Sequence, residues 1–270
     1  MLSKRIITSS ILIIVAILSV VNNWIFVIVV SALIILGLWE FFGLVEKKGI
    51  HIYKYFGVVI GAIIPLSIYF RFELTKNWEL LFIVLALLFI FLLQFTRRET
   101  SDALSGISTT LFGVLYVAWF FSFLIKVKLL PFGSGLLAFI LLVTKLGDIG
   151  AYLVGTKWGR RALIARISPK KSIEGAVGGL VFSILAAVAS KPLLPNHTIF
   201  SYWRLVLVGA FFGVVGQLGD LSESLIKRDC QVKDTGRFLP GLGGVLDMMD
   251  SLLFTAPAFY FYMSSILTSR

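Results

Sequence analysis

The sequence predicts an all-α integral membrane protein, a bundle of about nine transmembrane helices with its N-terminus in and its C-terminus out. Three observations predict it. The chain has 270 residues, of which 58% are hydrophobic and only 14% charged, against about 25% charged in an ordinary soluble domain. Its mean hydropathy is +0.96, and one soluble core cannot hide that much apolar surface, because surface grows too fast relative to volume. The apolar runs are also long and continuous rather than alternating, so the backbone is expected to satisfy itself within helices and not in a β-barrel.

A span needs about 20 apolar residues. The expected spans, in order, are 6–21, 24–45, 55–70, 80–95, 104–125, 135–154, 173–190, 203–226 and 246–267. Lys4 and Arg5 precede the first run as they would in a signal peptide, but no persuasive small-residue cleavage site precedes Trp24, so this run is read as a span. With the N-terminus inside, the inner segments hold Lys47, Lys48, Lys54, Arg97, Arg98 and two densely basic stretches, 157–171 and 227–237. The outer segments hold only scattered cations such as Arg71, Lys126 and Arg204, so the positive-inside rule favours this orientation. The expected location is the cell inner (plasma) membrane, multi-pass, with loops 155–172 and 227–247 in the cytoplasm.

A net charge of +11 could mark a nucleic-acid binder. Here the cations lie between apolar runs, which reads as topology and anionic-ligand sites, with no nucleic acid as partner. A lone Cys230 excludes an internal disulfide and a cysteine-based metal cluster. The chain divides into a scaffold half, 1–130, with short loops and no motif, and a catalytic half, 131–270, with the longest polar loops. Intramembrane charge is expected only from Thr144 onward.

Each charge inside a span costs about 2.5–3.5 kcal/mol on insertion scales, so such residues are functional candidates. Lys145 and Asp148 lie three apart on one helix face; taken alone they read as a self-neutralising pair. Gly209, Gly213, Gly216, Asp220, Glu223 and Lys227 follow one another at spacings that form a single helix face. Helix packing accounts for the glycines but not for the acids that continue their stripe. Asp247 and Asp250 then open the last span. Three spans thus deliver acids to one membrane face. Crowded carboxylates repel one another and take up protons unless a hard cation compensates them. Mg²⁺ is typically held by one or two carboxylates plus substrate phosphates, and paired metal ions hold the attacking and leaving oxygens of a phosphoryl displacement.

The loops supply complementary charge. Segment 167–179 has Ser168-Pro169, the paired Lys170 and Lys171, and a glycine-rich helix opening, which suits phosphate. Segment 227–246 carries Lys233, Asp234 and Pro240-Gly-Leu-Gly-Gly244, where glycine lets the backbone come close to a ligand. Lys157, Arg160 and Arg161 read as topology determinants and headgroup contacts.

These residues resemble the signature of the phosphatidate cytidylyltransferase (CDP-diacylglycerol synthase) family. The resemblance rests on Ser224-Leu-Ile-Lys-Arg228, Lys233-Asp-Thr-Gly236, Pro240-Gly-Leu-Gly-Gly-Val-Leu-Asp247 and Asp250. Gly219-Asp-Leu-Ser-Glu-Ser224, Ser168-Pro-Lys-Lys-Ser-Ile-Glu-Gly175 and Asp148-Ile-Gly-Ala-Tyr152 extend it over residues 144–260. Two positions depart: Leu242 stands where the family usually has His, and Met248 where it usually has Arg.

The resemblance implies the reaction of CTP with phosphatidic acid to give CDP-diacylglycerol and pyrophosphate, dependent on Mg²⁺, with a second metal ion of unspecified identity. It implies Asp220 and Asp247 as metal ligands, joined by Asp148, Glu223 and Asp250. Lys170, Lys171, Lys227, Arg228 and Lys233 would neutralise phosphates, with Ser224 and Asp234 as substrate contacts. Another lipid acceptor for CTP remains an alternative, and so, from a different class, does a secondary transporter, although transport sites usually lie near the bilayer midplane. Acyl-chain preference, CTP against dCTP and oligomeric state, a homodimer included, are left open.

Overall fold

The computed structural model describes residues 2–71, 78–97, 102–194, 200–236, 238 and 243–268. Helix α1 spans Leu2–Val21, α2 Asn23–Lys47, α3 Lys54–Tyr69 and α4 Trp78–Phe95. Helix α5 (Ala103–Gly113) runs through a π-helical turn, Val114–Trp119, into α6 (Phe120–Leu129). Then come α7 (Gly133–Trp158), strands β1 (Ala162–Ile164) and β2 (Ser168–Ser172), α8 (Ile173–Ala189), α9 (Tyr202–Asp229) and α10 (Val245–Thr268). Among the described residues, four helical stretches are by themselves long and apolar enough to cross a membrane: 23–47, 103–129, 133–158 and 202–229. Four further apolar helices are shorter.

Local chemistry sets several boundaries. Asn22 caps α2, its Oδ1 accepting from Trp24 N (2.9 Å) and Ile25 N (3.2 Å), so the break between the first two helices falls where a capping side chain is available. The π-helical turn inserts a residue into the helical repeat, a device that re-aims one face of a helix and recurs at functional sites. It turns Tyr116 and Val117 inward.

The all-α expectation holds, with one short hairpin added in a segment expected as a loop. The segment 155–172 is not a free loop: α7 runs on to Trp158, and β1 and β2 pair antiparallel with Ala162 opposite Ser172 and Ile164 opposite Ser168. Pro169 has no N–H to give a ladder, which a two-stranded hairpin tolerates. Arg228 of α9 holds the hairpin by donating from Nε to the Ile167 carbonyl (3.1 Å).

Helices α7, α8, α9 and α10 pack in succession, and α10 also packs on α2 and α6. The core is built from these elements, with Ile34, Leu38, Phe42, Ile125, Phe139, Phe212 and Phe259 almost wholly buried. Small residues bring the helices close. A Cβ on Gly209 would stand 2.7 Å from Ile184 Cα, and one on Gly213 would stand 2.9 Å from Ser183 Cβ, so the upper glycine stripe of α9 faces α8. Gly219, one position off that stripe, lets α9 meet α10, where a Cβ would come 2.5 Å from the Asp250 carbonyl. Outward, the helices show large apolar side chains such as Ile28, Val59, Phe95, Leu207 and Phe211. Apolar surface on this scale belongs against lipid rather than water, and the chain is a helical membrane protein.

Candidate active site

The acids gather along the C-terminal halves of α7 and α9 and the first two turns of α10. One carboxylate oxygen each from Asp220, Glu223 and Asp250 lies within 4.8 Å of the others. The Glu223 side chain is wholly buried, and its Oε1 has no hydrogen-bond partner among the described residues. An orphaned oxygen of a buried carboxylate is costly, and a hard cation would satisfy it. The residues present therefore fit a divalent ion.

The five carboxylates expected at a metal do not form one cluster. Asp148 accepts from Lys145 Nζ (3.0 Å) and Ser251 Oγ (2.9 Å), while Lys145 also reaches the Met248 carbonyl (3.0 Å). The Lys145–Asp148 pair is thus real, and α10 completes it. Asp247 is more fully engaged. Its Oδ1 accepts from Lys227 Nζ (2.6 Å), and its Oδ2 from Gly244 N (2.8 Å), Thr235 N (3.1 Å) and Thr235 Oγ1 (2.9 Å). Its contact with Gly244 N, from three residues into α10, is half of a capping box. Lys227 also pairs with Glu223 Oε2 at 2.5 Å, so one ammonium bridges two acids.

The lysines divide similarly. Lys171, from the end of β2, pairs with Asp220 Oδ1 at 2.5 Å and donates to Ser224 Oγ at 3.2 Å. Lys170 is exposed and lines, with Asp148, Lys171, Gln217 and Asp220, a cleft of about 560 Å³ bounded by α7, the hairpin, α8 and α9. Pockets that hold small ligands fall in the same range. Ser172 Oγ caps α8 by accepting from Gly175 N (3.0 Å), and both line this cleft, which places a helix N-terminus at its wall.

Other expected residues stand apart. Lys233 and Asp234 are exposed, and Asp234 is not among the clustered carboxylates. Arg228 spends its guanidinium on the carbonyls of Ile167 and Val232 (3.1 and 3.3 Å), which ties the hairpin to the loop after α9. Arg160 and Arg161 give their backbone N–H groups to Glu174. Of the two departures, Met248 offers its carbonyl to Lys145, and Leu242 lies outside the described residues. Arg98, Lys76, Arg237 and Arg270 lie outside them too.

Two residues of the scaffold half were missed. Glu40 of α2 accepts at Oε2 from Thr235 Oγ1 (3.1 Å) and from Leu246 N (2.9 Å), so intramembrane charge does not begin at Thr144. An acid inside the apolar run 24–45 was a sufficient signal, by the same reasoning that singled out Asp148. Tyr116 is 4% exposed, and its hydroxyl has no hydrogen-bond partner among the described residues. No sequence pattern marks it, because the π turn that aims it is not legible in residue spacing.

A carboxylate cluster beside a lysine-lined cleft, at one end of an apolar helical bundle, is the arrangement of a membrane-bound enzyme of phosphoryl or nucleotidyl transfer. The comparisons agree. The model of the cytidylyltransferase family matches residues 3–266, and the chain belongs to that family. It is 34% identical to a phosphatidate cytidylyltransferase of Synechocystis sp., over 93% of this chain and 92% of that one. It is 31% identical to one of Thermotoga maritima, over 96% and 95% of the two chains, and 34% identical to one of Bacillus subtilis, over 73% and 71%. The protein is a nucleotidyltransferase, as the sequence resemblance implied.

Proposed function

We propose that this chain transfers the cytidylyl group of CTP to phosphatidic acid, giving CDP-diacylglycerol and pyrophosphate. The single observation that carries the reading is the junction of the lysine-lined cleft with the carboxylates of Asp220, Glu223 and Asp250, in a chain similar over its length to enzymes of that name.

A phosphate oxygen of phosphatidic acid forms the new bond to the α-phosphorus, the bond to the β-phosphate bridge oxygen breaks, and pyrophosphate leaves with the electron pair. The nucleophile is already ionised at neutral pH, so positioning and charge neutralisation, rather than a strong base, lower the barrier. Lys170 and Lys171 draw the polyphosphate into the cleft, and the N-terminal turn of α8 orients it. Lys171 moves from Asp220 toward the phosphates as they arrive. Lys227, locked between Glu223 and Asp247, keeps a positive charge beside the site. Asp220, Glu223 and Asp250 would hold Mg²⁺, which when bound neutralises charge on the phosphates. With no proton transfer in the reaction, the His that the family usually has at position 242 is not needed as an acid or base; at position 248, where the family usually has Arg, the charge is supplied by the lysines already around the site.

The nine helical segments cross the membrane with the N-terminus and the acid cluster on the cytoplasmic side, where CTP is available and basic segments concentrate. Gathering the acids at one helix end favours this chemistry over transport, whose sites sit near the midplane. Purified protein given CTP, phosphatidic acid and Mg²⁺ should release pyrophosphate and form a CDP-lipid only when all three are present. Release with a polyprenyl phosphate and none with phosphatidic acid would replace the acceptor; no release with either would defeat the reading.

A further inference from the structure

Helix α10 begins at Val245, so its N-cap is Gly244, a residue with no side chain to accept the free N–H groups of the first turn. The acceptors come from elsewhere. Asp247 takes the N–H of Gly244 itself (2.8 Å), and Glu40 of α2, 206 residues before Leu246, takes the N–H of Leu246 at 2.9 Å. A cap side chain at position 244 is sterically excluded: a Cβ there would stand 2.5 Å from Glu40 Oε2 and would also collide with Thr235 Oγ1. A Cβ on Gly236 would collide with Glu40 Oε1. Two glycines thus vacate the space that the Glu40 carboxylate fills. Glu40 and Asp247 also share the single hydroxyl proton of Thr235, at 3.1 and 2.9 Å.

We infer that Glu40 is a positioning residue of the active site, a cap supplied in trans by the first half of the chain. It fixes the start of α10 and, through Thr235, the rotamer of Asp247, which in turn holds Lys227. The carboxylates of Asp247 and Asp250 are carried by the first turns of α10, so an unanchored start would blur both. This role depends on the cytidylyl-transfer reading for its kinetic consequence and on the hydrogen bonds alone for its structural one.

The test uses the full chain in detergent with Glu40→Ala, Glu40→Gln, Gly236→Ala and the Glu40→Ala/Gly236→Ala double variant; Glu46→Ala, an exposed acid of the same helix paired with Lys54, is the control. Amide hydrogen exchange over 243–247 should accelerate at least about tenfold in Glu40→Ala and stay near wild type in Glu40→Gln, which keeps an acceptor oxygen, and in Glu46→Ala. Turnover at saturating CTP should fall about 10- to 100-fold in Glu40→Ala, the usual range for loss of a partner that orients a ligand, and recover largely in Glu40→Gln. Gly236→Ala should cost activity in the wild type and far less beside Glu40→Ala, because the colliding atom is gone. Exchange and turnover unchanged in Glu40→Ala, or an equal penalty for Gly236→Ala in both backgrounds, would overturn the role. Accelerated exchange in a chain with no CTP-dependent activity would leave Glu40 as the cap and refute only the cytidylyl-transfer reading.

Discussion

Lys171 at the end of β2 stands 2.5 Å from Asp220 of α9, so the hairpin that follows α7 is pinned to the acid cluster by one ion pair. Both side chains are partly exposed, at 27% and 35%, and a pair of this kind contributes little to stability. Its position matters more, because the same ammonium lines the cleft. Lys171→Met should therefore leave thermal stability within about 1 kcal/mol, while raising KM for CTP about tenfold, worth about 1.4 kcal/mol. Steady-state kinetics across CTP concentrations would check this. An unchanged KM would mean that Lys171 only holds Asp220.

The carboxylates should differ from an ordinary interfacial acid. Asp220→Asn, Glu223→Gln, Asp250→Asn and Asp247→Asn should each lower turnover at least about 100-fold, since removing a charged group from a preorganised site costs about 2.7–4 kcal/mol of barrier. Asp247→Asn acts for a separate reason: it leaves Lys227 without one of its two acids. Asp102 is the control. It sits at the start of α5 in a left-handed conformation, φ 60°, which Asn accepts readily. Asp102→Asn should keep wild-type rates. Turnover measured at saturating Mg²⁺ in all five variants decides the point, and near-normal rates in Asp220→Asn and Asp250→Asn would remove the metal centre.

Gly219 tests the packing that builds the site. A Cβ there meets backbone, the Asp250 carbonyl at 2.5 Å and Ser251 Cα at 3.2 Å, and so must push α9 and α10 apart. Gly219→Ala should destabilise the protein by about 1–3 kcal/mol, the usual cost of overpacking, and reduce activity more than stability alone explains. Gly43 has open space around it, so Gly43→Ala should affect neither. Thermal unfolding in detergent together with turnover separates the two outcomes.

Cys230, at the C-terminal end of α9, reports orientation and local burial together. It is 8% exposed. Burial pushes its thiol above the usual range, the Asp229 carboxylate adds to the shift, and Lys48, which pairs with Asp229, opposes it. The thiolate is the reactive form, so a raised pKa means less of it at neutral pH. Maleimide labelling should be slow near pH 7, rise about tenfold per pH unit, and level off only above the ordinary thiol value. A membrane-impermeant maleimide should label inverted vesicles and spare intact spheroplasts. The reverse pattern would invert the proposed orientation and remove cytosolic access for CTP.

Much of the site was legible because helical spacing is local. Asp220, Glu223 and Lys227 share a face by their separations alone, and the Lys227–Glu223 contact at 2.5 Å follows from a four-residue step. Lys145 and Asp148 pair for the same reason. The hairpin was not legible, since a short segment with Ser168-Pro169 and two lysines reads as a loop until Arg228 and the helices α8 and α9 give its backbone somewhere to dock.

Composition and hydropathy by themselves determined a helical membrane protein, because nothing but lipid can cover so much apolar surface and nothing but helices can satisfy the backbone there. The spacing of acids and lysines determined which helix faces carry the chemistry. Only the tertiary structure decided that Asp250 joins Asp220 and Glu223, that Asp247 turns to Lys227 and Thr235, and that Glu40 reaches α10 from the far half of the chain. The physical reason is that periodicity fixes the face of a helix but not its neighbour. Neighbours are chosen by close approach, at positions such as Gly219 and Gly244 where the absence of a single Cβ lets another element in.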